Sequence, residues 1–278
     1  MDNLKNHPFY REHTLDSVMN SLLNFYKSRF LALFLSSFVF SLATQFVAST
    51  INLNEIQGIT DLHEVLDKFR QLIPEFAGIM AISILVTVLL HYYIIHSPVD
   101  SNITILNSFS KSLKYFLPYL AVILVLAVAG AVAMVLGLLI FIIGIFFAML
   151  YIMTLSLFIL PVLILEDTNI PDAISRVFTL AHRRFWYNIG WVAVFLIIII
   201  VISIVGSAII MIPFTGSFLK EAMNPGEAGT IMSISSNPVY ILLTSLFSAL
   251  YLPVMPLLGS ILYFNGKARE DNVPASDA

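Results

Sequence analysis

From Phe116 to Leu165 the chain runs for 50 residues without a charged side chain. As one helix, at about 1.5 Å per residue, this stretch would be about 75 Å long, more than twice the roughly 30 Å of a bilayer's hydrocarbon. It must therefore fold back on itself, and the turn is expected near Gly137 to Gly144. Any architecture for this chain has to house that hairpin.

Composition points the same way. The chain is 59% hydrophobic and 11% charged, where a soluble domain carries about 25% charged residues. Apolar runs near helix-spanning length recur throughout, which is the signature of transmembrane helices. Besides the two spans within Phe116 to Leu165, they cover about Phe30 to Ile51, Phe76 to His96, Ile189 to Pro213 and Val239 to Phe264. The absence of cysteine removes disulfides, thiolate metal sites and a cysteine nucleophile together. The opening MDNLKNHPFYREHTLDS is long and polar, and no small-residue cleavage site follows the first apolar run, so an uncleaved first span is expected.

Between the spans lie amphipathic segments. Leu15 to Arg29 carries Leu15, Val18, Met19, Leu22, Phe25 and Tyr26 on one stripe, facing either lipid or protein, with Thr14 placed to cap it. In the loop from Asn52 to Glu75, Leu62, Val65, Leu66, Phe69 and Ile73 form a second stripe, ended by Pro74. Span two closes at the Ser97–Pro98 turn, and Ile103 to Tyr115 follows with Lys111 and Lys114. Pro161 is expected to kink the fourth span. Pro171 to Tyr187 then sets Ile174, Val177, Phe178, Ala181 and Phe185 against Arg176, His182 and Arg183, with Pro171 suited to a first helical turn. The polar loop Thr215 to Pro238 precedes the last span, and the tail from Gly266 to Ala278 is expected to be mobile.

Three of these segments share a plan: SVMNSLLNFYKSRF from Ser17, SFSKSLKYF from Ser108 and AISRVFTLAHRRFW from Ala173. Each is amphipathic, ends in basic and aromatic residues, and leads into a span. The pattern predicts a single membrane domain over 1–278, with repeated units at 15–97, 103–165 and 171–264 and a short tail at 266–278. Spans entered by such helices also acquire basic and aromatic ends by topology alone.

With six spans, one side holds Lys5, Arg11, Lys27, Arg29, Lys111, Lys114, Arg176, Arg183, Arg184, Lys267 and Arg269, and the other Lys68, Arg70 and Lys220. The split of 11 against 3 puts both termini and the three repeated helices on the cytoplasmic side. The expected fold is all-α: six transmembrane helices with three cytoplasmic interfacial amphipathic helices.

Catalytic signals are sparse. No Asp, Glu, Lys or Arg lies between the expected span ends, which argues against a transporter run on buried carboxylates. His91 and His96 sit about 140° apart around a helix, unsuited to a shared metal. No G-x-S-x-G elbow, H-E-x-x-H pair or Walker-type loop occurs. No catalytic, cofactor or metal residue is assigned. What stands out is a corner: Glu166 as a structural acid beside Arg176, Arg183 and Arg184, candidates for anionic lipid headgroups or for topology alone, with Trp186 and Trp191 as interfacial anchors. Small residues at packing spacing, Ala127 with Ala131, Ala129 with Ala133 and Ser203 with Ser207, suit close helix contacts.

The stretch Pro161, Glu166, Ala173, Arg176, Leu180, Arg184, Phe185, Trp186 and Gly190 resembles the family of the membrane domain of glycerophosphoryl diester phosphodiesterases and related bacterial polytopic membrane proteins. The chain end LYFNGKARED is similar to that family's close, although Asn265 and Gly266 stand where an acidic and a larger apolar residue are common. The resemblance implies a multi-pass protein of a bacterial cytoplasmic (inner) membrane. The family's phosphodiesterase activity belongs to a separate soluble domain that nothing here matches. The expected function is non-enzymatic, contacting or organising membrane lipid or a membrane-protein partner, with no cofactor and no nucleic acid. The alternative is a transporter or flippase-like protein, for which Thr44, Gln45 and His91 would line a polar cavity.

Overall fold

The apolar runs fold as long helices and the amphipathic segments as short ones. The computed structural model describes residues 5–51, 61–216 and 234–272. In chain order the helices are α1 (Leu15–Ser28), α2 (Phe30–Ser49), α3 (Leu62–Gln71), α4 (Ile73–His96), α5 (Ile105–Ser112), α6 (Phe116–Leu138), α7 (Phe141–Leu165), α8 (Ile170–Arg183), α9 (Phe185–Met211), α10 (Pro238–Tyr251) and α11 (Val254–Asn272). Among the described residues there is no strand, and six helical segments are long and apolar enough to cross a membrane. The chain is an all-α, multi-pass membrane protein. Lys220 and most of the expected loop from Thr215 to Pro238 lie outside the described residues.

Local chemistry accounts for the joints. Thr14 donates its N–H to Ser17 Oγ (2.8 Å) at the start of α1. The side chain of Asn169 accepts from the N–H of Asp172 (2.9 Å) to cap α8, whose second residue is Pro171. Pro74 does not end the loop helix as expected; it is the second residue of α4, where its missing N–H costs nothing. The charge-free stretch folds back where anticipated, with α6 ending at Leu138 and α7 starting at Phe141. A Cβ on Gly137 would lie 2.7 Å from the carbonyl of Gly144, so the two backbones touch at the turn.

By contacts the chain divides into two units. One comprises Met1–Leu33, Thr87–Ile198 and Pro253–Ala278, and the other Phe34–Val86 and Ile199–Leu252. In the first, the C-terminal half of α7 is the core: Leu155, Phe158, Ile159, Leu160 and Val162 are buried, as are Leu89, Leu90, Ile94 and Ile95 of α4 and Leu257, Leu258 and Ile261 of α11. α7 continues through Pro161 to Leu165. A proline there has no N–H to offer the carbonyl four residues back, that of Leu157. α11 covers that carbonyl: a Cβ on Gly259 would sit 2.7 Å from Leu157 O. Glycine is what lets the two backbones meet at the position Pro161 leaves open. In the second unit Gly206 does similar service, since a Cβ there would overlap the ring of Phe247.

Several expectations are corrected. The last span is not one helix over Val239 to Phe264, because Pro253 interrupts it and α10 gives way to α11. The expected mobile tail is helical as far as Asn272, with Ala268 buried; residues 273–278 lie outside the described ones. The small-residue pairs are out of register: Ala127, Ala129 and Ala131 are exposed, and the packing residue on α6 is Gly130, against Ile152. Ser207 is likewise exposed while neighbouring Gly206 packs. Of the two partners left open for it, the α1 stripe meets protein, through Val18, Leu22 and Phe25, and no expectation is overturned there. The α8 stripe is rotated from the expected face, burying Ala173, Val177, Leu180 and Ala181 and leaving Phe178 exposed.

Two glycines give a paired prediction. Gly259→Ala is expected to cost about 2 kcal/mol or more, by forcing a methyl against Leu157 O. Gly190→Ala in α9, where nothing lies within 4 Å, should stabilise by about 0.5–1 kcal/mol through helix propensity. Thermal midpoints of the two variants in the same detergent would check both signs.

Candidate functional site

Charged side chains in the first unit converge where α7 ends. Glu166 follows the last residue of α7, and Asp167 adopts a left-handed backbone (φ 46°) that turns the chain into α8. This brings Arg176 back over Glu166, with Nε donating to Oε2 at 2.9 Å and to Oε1 at 3.1 Å. The other face of the same guanidinium donates from Nη1 and Nη2 to Glu270 of α11, at 2.8 and 2.5 Å. This is a bidentate fork, the strongest arrangement available to an arginine and a carboxylate. Glu270 also meets Arg183 at 2.7 Å and Lys267 at 3.5 Å, and Tyr263 Oη donates to Glu166 at 2.8 Å. Two carboxylates thus face three cations. Hydrogen bonds to Glu270, then to Glu166, hold the Arg176 guanidinium well above its ordinary pKa.

The sequence-predicted residues divide. Glu166 is a structural acid shared by Arg176 and Tyr263. Arg176 and Arg183 are engaged with carboxylates. Arg184 is exposed and stands over the Tyr187 ring, 5.2 Å from its centroid. Trp186 is 74% exposed, whereas Trp191 is 6% exposed and packs on Phe195, so burial among protein side chains corrects its place as an anchor. The expected tail hid Glu270 and Lys267, and the expected last span hid Tyr263. Their spacing of four and three residues, one face of a helix continued from the last span, was the available signal.

A strap of N-terminal residues ties onto the same helix end. His13 N–H donates to Asn265 Oδ1 (2.9 Å), Tyr187 Oη donates to the His13 carbonyl (3.0 Å), and Glu12 pairs with Arg269 (2.7 Å). Tyr10 donates to Asp271, and burial followed by that hydrogen bond pushes its phenol up to about 12. His7 is buried and stacked on Phe264 (4.3 Å), accepting from Phe9 N–H at Nδ1 (3.1 Å) and donating from Nε2 to the Ile94 carbonyl (3.2 Å). Burial pushes it down to about 4. The geometry suits the neutral ring, since both nitrogens are used in complementary senses.

Beside the corner lies an aromatic edge. His182 Nδ1 donates to the Phe178 carbonyl (2.8 Å), leaving Nε2 to accept from Tyr151 Oη (3.3 Å). His182 stacks with Phe178 and Phe185, while Phe147 packs on Phe185 and Trp186. Below Tyr151 an apolar cavity of about 430 Å³ opens along the α6–α7 hairpin, lined by Gly137, Ile143, Gly144, Phe147 and Ala148. Among the described residues no group of three His, Cys, Asp or Glu side chains could hold a metal ion. Comparison with protein-family models, with curated proteins and with solved structures finds no match to this chain.

Two predictions follow from the pairings. Glu270→Ala takes the shared carboxylate from Arg183 and Lys267 and leaves Arg176 with Glu166 alone, and is expected to cost about 2–3 kcal/mol. A double-mutant cycle with Arg176→Ala should return a coupling of about 1 kcal/mol or more. For His7 the folded pKa is depressed from 6.5 to about 4. Its contribution is therefore complete above pH 6.5 and is lost as pH falls toward 4, on the order of 3 kcal/mol. Hydrogen exchange of the strap should rise through that window, and His7→Gln should flatten the slope.

Proposed function

We propose that this is a non-enzymatic protein of a bacterial cytoplasmic membrane, both termini cytoplasmic, that contacts and organises anionic lipid along the α8–α9 edge. The observation that carries the reading is the uncovered edge itself. Trp186 and Phe178 are exposed, Arg184 is exposed over the Tyr187 ring with no carboxylate paired to it among the described residues, and the apolar cavity of the α6–α7 hairpin opens below Tyr151. A headgroup at the arginine, an indole at the interface and acyl chains along an apolar surface are the three requirements of lipid contact. The 11-to-3 distribution of Lys and Arg supports the orientation. The resemblance to the membrane domain of glycerophosphoryl diester phosphodiesterases supports the bacterial setting and contributes no active-site residue.

The role of the basic cluster narrows accordingly. Arg176 and Arg183 hold the protein's own carboxylates, so Arg184 is the arginine of the three offered to a headgroup. No comparable observation favours the transporter reading. Thr44 donates to its own helix at Phe40 O (2.9 Å), and His91 is buried.

Native mass spectrometry of the protein released from mild detergent tests the proposal. The wild type should retain an anionic phospholipid, and Arg184→Ala with Trp186→Ala should lower its occupancy at least fivefold while leaving the thermal midpoint unchanged. Equal retention by the variant would overturn the reading.

A further inference from the structure

The segment joining the first two spans contains a helix that the described residues leave uncovered. α3 (Leu62–Gln71) has no buried residue. Leu62, Leu66, Phe69 and the following Ile73 are 69, 48, 50 and 59% exposed. At about 100° per residue Leu62, Val65, Leu66, Phe69 and Ile73 fall within one narrow stripe, and Glu64, Asp67, Lys68 and Gln71 lie opposite. Asp61 caps the start, accepting from the N–H of His63 (2.9 Å), and Arg70 pairs with Asp67 (3.3 Å) on the polar side.

A helix of ten residues is marginal by itself in water and is ordinarily held by packing of its apolar face. Among the described residues nothing buries that face, which leaves it to another apolar phase. The chain says where: Leu72 alone separates α3 from α4, and α4 is a membrane span whose first turns expose Ile73 and Phe76. The stripe of α3 therefore runs continuously into a lipid-facing surface. We infer that α3 lies in the plane of the bilayer interface, with its apolar stripe seated among lipid chains and its charged face in water. Its charge sets the lipid class: Asp61, Glu64 and Asp67 against Lys68 and Arg70 leave the segment net negative by one. The contact is driven by apolar burial and needs no anionic headgroup. It is independent of the α8–α9 edge.

Site-directed spin labelling tests this directly, because the chain contains no cysteine to replace. The full chain would be reconstituted in nanodiscs of phosphatidylcholine alone, labelled at Leu66→Cys or Phe69→Cys, and at Glu64→Cys or Gln71→Cys as the opposite face. Relaxation by oxygen is expected to exceed that by a water-soluble nickel chelate severalfold at Leu66 and Phe69, with the order reversed at Glu64 and Gln71. Chelate access at all four positions would overturn the inference and leave α3 in water. Protection of Leu66 and Phe69 from both agents would also overturn it, and would mean that protein, here a second copy of the chain, occupies the stripe.

Discussion

The first unit depends on one guanidinium held between two carboxylates. Arg176 on α8 joins Glu166, just beyond α7, to Glu270 in the last turn of α11. Partly buried ion pairs add little net stability, because desolvation of both charges offsets their attraction. What they supply is register. If α8 slid by one turn, Glu270 would lose its fork, and if the end of α11 frayed, Arg176 and Arg183 would lose the carboxylate that they share. Because α11 is held to its end, Asn265, Arg269 and Asp271 stand in place for the N-terminal strap, which meets them through His13, Glu12 and Tyr10. The strap is thus ordered at second hand, by a carboxylate that it does not touch.

A second dependency lies deeper. Pro161 leaves the Leu157 carbonyl without its helical partner, and Gly259 brings the α11 backbone against that oxygen. Buried next to it is His91, whose Nδ1 donates to Thr87 O (2.9 Å). In an apolar core that contact localises the one irregular point of α7 under another backbone rather than under lipid, where a freed carbonyl would be costly.

Legibility of these features in the sequence follows the range of the interactions that make them. The hairpin at Gly137 to Gly144, the Pro171 start of α8 and the Glu166–Arg176 pair are local: ten residues and one turn separate the two charges. Glu270 is 94 residues from Arg176, and the helical spacing of Tyr263, Lys267 and Glu270 does not say which distant cation the carboxylate will meet. Trp191 shows the same limit from another side. An aromatic at the start of a span suits an interface, yet its facing depends on the helix neighbours, and here Phe195 and Tyr187 claim it. The small-residue pairs failed by a single position, because alanine and serine tolerate either face while Gly130 and Gly206 mark the true contact by the space that a Cβ would need.

The amphipathic helices make the general point most sharply. α1, α8 and α3 carry the same alternation of apolar and charged faces, yet the first two bury their stripes in protein and the third buries nothing. Period alone cannot separate the outcomes, since lipid and protein interiors are equally apolar partners. What separates them is whether the chain returns to cover the stripe. α1 is covered because the His7–Phe9 strap folds over Phe25 (Phe9 to Phe25, 5.1 Å) and α11 packs alongside it. α8 is covered because Arg176 pins it between α7 and α11. On α3, Arg70 pairs within the helix, with Asp67 at 3.3 Å, and no residue of the helix is buried. A polar contact that reaches another element thus draws the stripe of an amphipathic helix into the core, as the Arg176 fork does for α8.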